Sequence, residues 1–286
     1  MKRLIAGACF ALVASSAFAA DPFYPVEEQA RQISGYGQIY AGGMWVKFDS
    51  GDSEDDLDFW AAGASGQINV PFAESWNAQG GLTLDGVGAE GDSLVGFGGQ
   101  GHVFWRDPSS YALGGFAEIK TYDYSEGGPT EDIWDWKIGP EAQVYLDRVT
   151  LYGQAWYGQV EMDEVPVDID VAGVRGVVRY FARDNLRFDG EVAFNRISAD
   201  GLDVDTVALA LQAMYRFSDT PFSVFGRYQF ETTSFDAAGP FNDEDIDSHK
   251  LVVGLRASFG SSTLIDEDRN GATLDTFRSN LITSGL

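Results

Sequence analysis

Six arginines in the second half of the chain share one side if the segments that carry them are extended, because side chains alternate along a strand. They are Arg175, Arg179, Arg187, Arg216, Arg227 and Arg256. The acids predicted on the same side are Asp189, Glu191, Glu118 and Glu141. A guanidinium offers five N–H donors in one plane and binds carboxylates or other oxyanions through them. These residues could therefore attract anions from water, or neutralise one another as a salt-bridge network.

Two of the arginines are predicted to meet across a short turn. If that turn is centred near residue 183, Arg179 lies opposite Arg187, and Arg175 lies opposite Glu191. Facing like charges are unfavourable unless water or acids lie between them. The pattern leaves both alternatives open, a hydrated wall and a packed ionic network.

The histidines do not form a catalytic group. Asp247, Ser248 and His249 are consecutive, but alternation places Ser248 on the opposite strand face from His249, so this run holds no nucleophile–base pair. His102 is predicted to point inward beside Gln100 as a hydrogen-bonding residue. The sequence therefore predicts no enzyme and no catalytic residues.

One motif near the C-terminus resembles a calcium loop. Asp266, Asp268 and Asn270 precede Gly271 with the acidic spacing of an EF-hand. The twelfth position is Phe277, which cannot coordinate a metal ion, so an Asn-Gly turn in a solvated tail is the favoured interpretation. Calcium here or at acidic loops is the one metal considered, and no other cofactor is expected.

The N-terminus is typical of a secretory signal peptide, predicted over residues 1–20. Lys2 and Arg3 precede an apolar run over 4–13, and Ala17-Phe18-Ala19 fits a small-x-small cleavage site. The run is shorter than the roughly 20 residues that span a bilayer. Cys9 is the only cysteine, so the mature chain is predicted to lack thiols. Residues 21–33 are predicted to form a short periplasmic segment.

The rest of the chain repeats one plan of strand, acidic loop, strand and short turn. Candidate strands lie near 34–47, 58–70, 76–84, 94–105, 111–121, 132–146, 149–160, 170–181, 186–196, 205–217, 222–233 and 248–259. The short turns recur roughly every 35 to 39 residues, a hairpin period that favours an up-and-down barrel. Pro140 falls on an apolar face, which predicts a bulge or a shifted register there.

The alternation of apolar and polar residues and the net charge further narrow the class of protein. On strand 205–217, Val207, Leu209 and Leu211 share one face, whereas Gln212 and Arg216 share the other. Aromatic residues flank the short turns, where a membrane-interface girdle belongs; they include Trp105, Tyr111, Tyr180, Phe181, Tyr215, Phe217 and Phe222. The net charge of −25 argues against nucleic-acid binding, because no basic surface is available to neutralise phosphates. The long loops contain acids but no Lys or Arg, and are predicted to face outward.

The signal peptide, the repeated hairpins and the closing strand together resemble those of Gram-negative outer-membrane β-barrels of the porin-like family. The closing strand, Lys250 to Phe259, is similar to the assembly signal of that family, except that a tail, residues 260–286, follows it. The resemblance implies an all-β fold: a closed antiparallel up-and-down transmembrane β-barrel of about twelve strands over 34–259, and a periplasmic C-terminal tail. It also implies outer-membrane lipid, lipopolysaccharide and the barrel-assembly machinery as partners.

The expected function is a channel for passive diffusion of small polar solutes, leaning towards anions through its arginine wall. A plugged structural or adhesive barrel with acidic surface loops is the alternative, and an outer-membrane hydrolase is the least favoured. Barrels of about eight strands are filled by side chains, whereas those of about sixteen are open. Twelve strands lie between these limits, so the number of strands does not decide whether the lumen is open or filled.

Overall fold

The computed structural model describes residues 32–49, 54–89, 92–125, 133–162, 169–199, 202–237 and 245–280. The predicted signal peptide and nearly all of the predicted segment 21–33 lie outside these residues, as do parts of every long loop. Predictions about calcium or lipopolysaccharide at the loops concern those parts and stay predictions.

Twelve antiparallel strands form one closed barrel in which each strand pairs with its neighbours in the chain and β1 pairs with β12. The strands are β1 Ser34–Asp49, β2 Glu54–Pro71, β3 Trp76–Ala89, β4 Asp92–Asp107, β5 Tyr111–Ser125, β6 Ile133–Leu146, β7 Val149–Met162, β8 Ile169–Arg183, β9 Leu186–Ala199, β10 Leu202–Arg216, β11 Phe222–Ala237 and β12 Asp245–Phe259. This confirms the predicted fold class and strand number. Several strands extend further into the acidic loops than alternation alone predicted.

The outer surface of the barrel is apolar. Leu211 and Val253 are each 66% exposed, and Leu82 and Ile39 about as much. A soluble protein rarely exposes a continuous apolar surface of this extent, whereas lipid covers it without cost. Trp76, Tyr111, Tyr180, Tyr215, Phe217 and Phe222 are among the outward aromatics beside the short turns. Phe181, predicted in that girdle, instead points inward and is fully buried.

Two local predictions about register are wrong. Arg179 pairs with Asp189 rather than with Arg187, and Arg175 with Ala193 rather than with Glu191, because the turn lies at Asp184 and Asn185 instead of near 183. An irregularity between Phe181 and Arg183 adjusts the register by one further residue. A shift of two residues keeps each side chain on the same face of its strand. Its effect is that Arg179 faces an acid instead of another cation. Pro140 lies in β6 without a bulge, since the register with β7 is the same on both sides of it.

The predicted tail does not form a separate segment. Residues 261–280, here called the lumen segment, turn back from the end of β12 and pack inside the barrel. Gly260 makes the turn with φ +73°, and a Cβ there would lie 2.3 Å from the Ile33 carbonyl oxygen. Only glycine fits this position, because both the left-handed backbone and the close approach exclude a side chain.

The lumen segment begins with the one described helix, α1 Leu264–Asn270, and continues as extended chain to Asn280. Within the described residues, no helix has the length and apolar character needed to cross a membrane.

Candidate functional site: the occupied lumen

Three apolar side chains of the lumen segment each enter a separate cluster on the inner wall. Leu264 packs with Phe181, Met214 and Phe225 near the short turns. Leu274 packs in a second cluster formed by Phe104, Ala112, Tyr145, Tyr152 and Val177. Phe277 packs in a third formed by Phe116, Trp156, Val160, Val171, Ala193 and Ala208. Leu264 and Leu274 are at most 1% exposed, so the inner wall and the segment bury one another's apolar surface.

Polar contacts fix helix α1 at the end of the barrel that carries the short turns. Thr263 caps the helix by accepting a hydrogen bond from the Asp266 N–H at 3.1 Å. The backbone N–H of Ile265 donates to the Asp184 carbonyl, and that of Leu264 donates to the Asn185 side chain. Both partners lie in the turn between β8 and β9, which anchors the start of the segment.

Glu267 connects two of the predicted arginines. Its carboxylate accepts from Arg216 Nη2 at 2.5 Å and from Arg256 Nη1 at 2.9 Å, and it is 3% exposed. A buried carboxylate between two guanidinium groups makes charge-assisted bonds with both. Arg256 also donates to the Gln38 side chain and stacks on Tyr36.

Asp268 makes the corresponding contact with Arg179. Arg179 Nη1 lies 2.8 Å from Asp268 Oδ1, and Thr150 donates to the other carboxylate oxygen at 2.5 Å. Burial raises the pKa of Asp268, but Arg179 and these hydrogen bonds outweigh it and hold the pKa below its ordinary value. Asp268 is therefore an anion in the lumen, paired with the wall.

Further along, Asp275 binds Arg175. Arg175 Nη1 donates to Asp275 Oδ1 at 2.9 Å, while its Nε lies 3.0 Å from Glu191. Burial raises the pKa of Asp275, but Arg175 and Arg179 together lower it by more. The pKa of Asp275 is therefore well below its ordinary value. Glu191 in turn binds Arg227 at 3.0 Å, and Arg179 Nη2 lies 3.6 Å from Asp275 Oδ1. Two acids therefore bridge three cations.

The remaining contacts reach the half of the barrel that carries the long loops. Thr276 donates to Gln100 and also contacts Glu118. Phe277 stacks on Trp156 with ring centroids 5.7 Å apart. Ser279 and Asn280 bind β11 and β12, including Glu231 and Ser248. The lumen segment thus touches the wall along most of its height.

All ten charged residues proposed from the sequence lie on the inner face of the described barrel. Each of the six arginines has an acid partner: Arg187 binds Asp189 at 2.9 Å, and the other five pair as described above. Glu118 is paired with Lys120 at 2.8 Å, and Glu141 with His102 at 2.8 Å. What the sequence missed is that the tail supplies carboxylates for Arg175, Arg179, Arg216 and Arg256.

The two histidines lie on opposite sides of the wall. His102 is 1% exposed, points inward and stacks on Phe116. His249 faces outward, where Tyr228 lies 2.7 Å away, whereas Ser248 points into the lumen and is fully buried. The predicted separation of Ser248 from His249 is confirmed.

The calcium-loop candidate is wrong in its geometry. Asp266, Asp268 and Asn270 lie on helix α1 rather than in a loop, and their side chains diverge. Asp268 points to Arg179, whereas Asp266 accepts from Ser262 and from Asn270. Among the described residues, no group of three or more His, Cys, Asp or Glu side chains is placed to hold a metal ion.

Among the described residues, two partly enclosed cavities lie beside the lumen segment. One, of about 80 Å³, lies around Phe277 and Asn280, and the other, of about 110 Å³, lies against the arginines of β8, β9, β11 and β12. Tyr40, Lys250 and Arg278 line both. These volumes hold a few water molecules each.

The wall and the segment carry opposite net charges. The inward cations of the described strands are Arg106, Lys120, Lys137, Arg175, Arg179, Arg187, Arg216, Arg227, Lys250 and Arg256, and the inward acids are Asp85, Glu118, Asp135, Glu141, Asp189, Glu191 and Glu231. The wall is therefore cationic. The lumen segment has four acids, Asp266, Glu267, Asp268 and Asp275, against Arg269 and Arg278, which makes it complementary.

Solved structures provide a comparison for this architecture. The translocator domain of the autotransporter NalP from Neisseria meningitidis matches with a TM-score of 0.50 at 11% identity, covering 81% of this chain and 90% of that chain. The chain has the fold of an outer-membrane β-barrel. At this identity the likeness shows the fold and not the activity.

Other matches are more distant in shape. The β domain of the Bordetella autotransporter BrkA has a TM-score of 0.49 at 13% identity and covers 79% of this chain and 99% of that chain. An anion-selective porin from Comamonas acidovorans has a TM-score of 0.37 at 9% identity, covering 80% and 99%. No protein-family model and no curated protein sequence matches this chain.

Proposed function

We propose that this protein is a plugged outer-membrane barrel, in which the lumen segment keeps the interior closed to solutes. The observation that carries the proposal is the burial of Leu264, Leu274 and Phe277 in three successive wall clusters. A permanently open diffusion channel would need a continuous water-filled lumen, and the described lumen contains packed chain with small cavities beside it. The role is then structural or adhesive at the cell surface.

The location in the outer membrane is supported by the barrel fold, by the apolar outer surface and by the predicted signal peptide. Lipid and lipopolysaccharide are proposed as the surrounding partners, and the barrel-assembly machinery as the route of insertion. These proposals follow from the architecture, since a closed barrel satisfies every backbone hydrogen bond within hydrocarbon.

A second candidate function is a gated channel. It is favoured by the ionic character of the contacts that hold the lumen segment, because Arg179, Arg216 and Arg256 can exchange carboxylate partners for water. With the segment displaced, the cationic wall would pass small polar solutes and prefer anions. An enzyme is not favoured, since His102 is buried and its Nδ1 is bound to Glu141.

Conductance of the refolded full-length protein in a planar lipid bilayer tests the plugged barrel. We expect insertion without stepwise conductance, because the lumen segment leaves no continuous aqueous path. Migration of unboiled and boiled samples in a detergent gel serves as the control for folding, since a folded barrel migrates differently from the denatured chain. Steady open-channel steps from protein that passes this control would contradict the proposal.

A further inference from the structure

The larger of the two cavities is unusually rich in cations. Its lining includes Arg175, Arg179, Arg187, Arg227, Arg256, Arg278 and Lys250, against the carboxylates Asp189, Glu191 and Asp275. Three acids behind the lining, Asp85, Glu267 and Asp268, each bind one of these cations. Even so the cations remain in excess, because Glu267 and Asp268 also contact Arg216 and Arg269.

Lys250 is the cation of this lining that makes the fewest direct contacts with acids. Among the described residues it has neither an ion pair nor a hydrogen bond, although it lines both cavities. Glu231 and Asp85 are the acids close enough to attract it, but neither forms an ion pair with it; Glu231 accepts hydrogen bonds from Gln229 at 2.7 Å and from Ser279 at 2.6 Å instead. An ammonium withdrawn from bulk water is costly unless an anion or water solvates it.

Two arginines that line this cavity also have N–H donors without a hydrogen bond. Arg187 uses Nε for Asp189, and its two terminal nitrogens have no hydrogen bond to the described residues. Arg227 uses Nε and Nη2 for Gln229 and Glu191, which leaves Nη1 unused. With Lys250 they form a set of N–H donors on β9, β11 and β12 that surrounds one small cavity.

We propose that this cavity binds a small inorganic oxyanion of the phosphate or sulfate class, and that the bound anion holds the lumen segment in place. A volume of about 110 Å³ accommodates a tetrahedral oxyanion with water, whereas organic ligand sites are usually about 300 Å³ or larger. Such an anion accepts several charge-assisted hydrogen bonds at once. Asp275, Thr276 and Arg278 form the inner side of the cavity, so the anion bridges wall and segment.

This inference rests on the proposed plugged state, because the lumen segment forms one side of the site. Isothermal titration of the full-length protein in detergent with inorganic phosphate, at ionic strength fixed by chloride, tests it. We expect saturable binding and a higher thermal midpoint. Lys250→Met should weaken binding by about tenfold or more. The matched control Lys47→Met, which removes an exposed lysine from the outer face of β1, should bind as the wild type does.

The gel-migration control shows whether Lys250→Met still folds. Arg187→Met provides a second variant, for which we expect the same loss of phosphate affinity. Sulfate should compete with phosphate, and a chain that ends at Gly260 should lose saturable binding. The inference is overturned if phosphate does not bind to the wild-type protein. It is also overturned if Lys47→Met loses as much affinity for phosphate as Lys250→Met does. Either result leaves the absence of conductance, and with it the plugged barrel, unaffected, so the two failures are distinguishable.

Discussion

A chain shortened to end at Gly260 is expected to conduct ions where the full-length protein does not. Removal of the lumen segment takes away Leu264, Leu274 and Phe277, which fill the three wall clusters. It also frees Arg179, Arg216 and Arg256 from their carboxylates. The barrel then has a hydrated cationic wall, and the new channel should prefer anions. Single-channel recording with reversal potentials under a salt gradient measures both effects.

In the shortened chain, Arg179→Ala should shift the reversal potential towards cations. The acidic long loops attract cations at the mouth and oppose the wall at low salt, so the recordings should cover several ionic strengths. Screening weakens the exposed loops more than the confined wall, and anion preference should therefore rise with salt before it saturates. A shortened chain that folds, by gel migration, but stays silent would show that the strand side chains close the lumen unaided.

Glu267→Gln in the full-length chain is expected to have the largest effect of any single substitution in the lumen segment. Its carboxylate is the shared partner of Arg216 and Arg256, and it is 3% exposed. Removing one partner of a buried ionic pair leaves the other charge uncompensated, which typically costs about 3–5 kcal/mol. Urea titration of the refolded protein should show this loss in the free energy of unfolding.

Asp266→Asn is the matched control on the same helix. Asp266 accepts hydrogen bonds from the exposed Ser262 and from Asn270, and it contacts no wall arginine. The expected loss is about 1 kcal/mol or less. Equal losses for the two variants would contradict the claim that the ion pairs with Arg216 and Arg256 hold helix α1 in the lumen.

The barrel could be predicted from the sequence because its pattern is local. Outward Val207, Leu209 and Leu211 alternate with inward side chains, and the alternation needs no knowledge of the partner strand. The inward placement of the arginines follows from the same period. The pairing across the turn near 183 was wrong because the turn lies at Asp184 and Asn185, and a small displacement of a turn moves every pair of its hairpin. The sequence Ala182 to Asn185 does not show which of its residues form the turn.

The occupied lumen could not be predicted, because its contacts join residues far apart in the chain. Glu267 binds Arg216 and Thr273 binds Arg179, and neither pair follows from periodicity. The sequence nevertheless contains an indication that the lumen is occupied. Phe104, Trp156 and Phe181 fall on the charged, inward faces of their strands, and large apolar side chains inside a water-filled lumen would lack a partner. Gly260 directly after the closing strand marks the turn that supplies one.

The central claim, that the lumen segment lies inside the barrel, is tested most directly by the reactivity of a cysteine placed at Leu274. In a background without Cys9, Leu274→Cys is compared with Ser262→Cys, whose position in the same segment is exposed. Leu274 is 1% exposed, so its cysteine should resist a small soluble maleimide in folded protein and react only after denaturation. The cysteine at position 262 should react at once. Equal rates in the folded protein would place the segment outside the lumen and contradict the account.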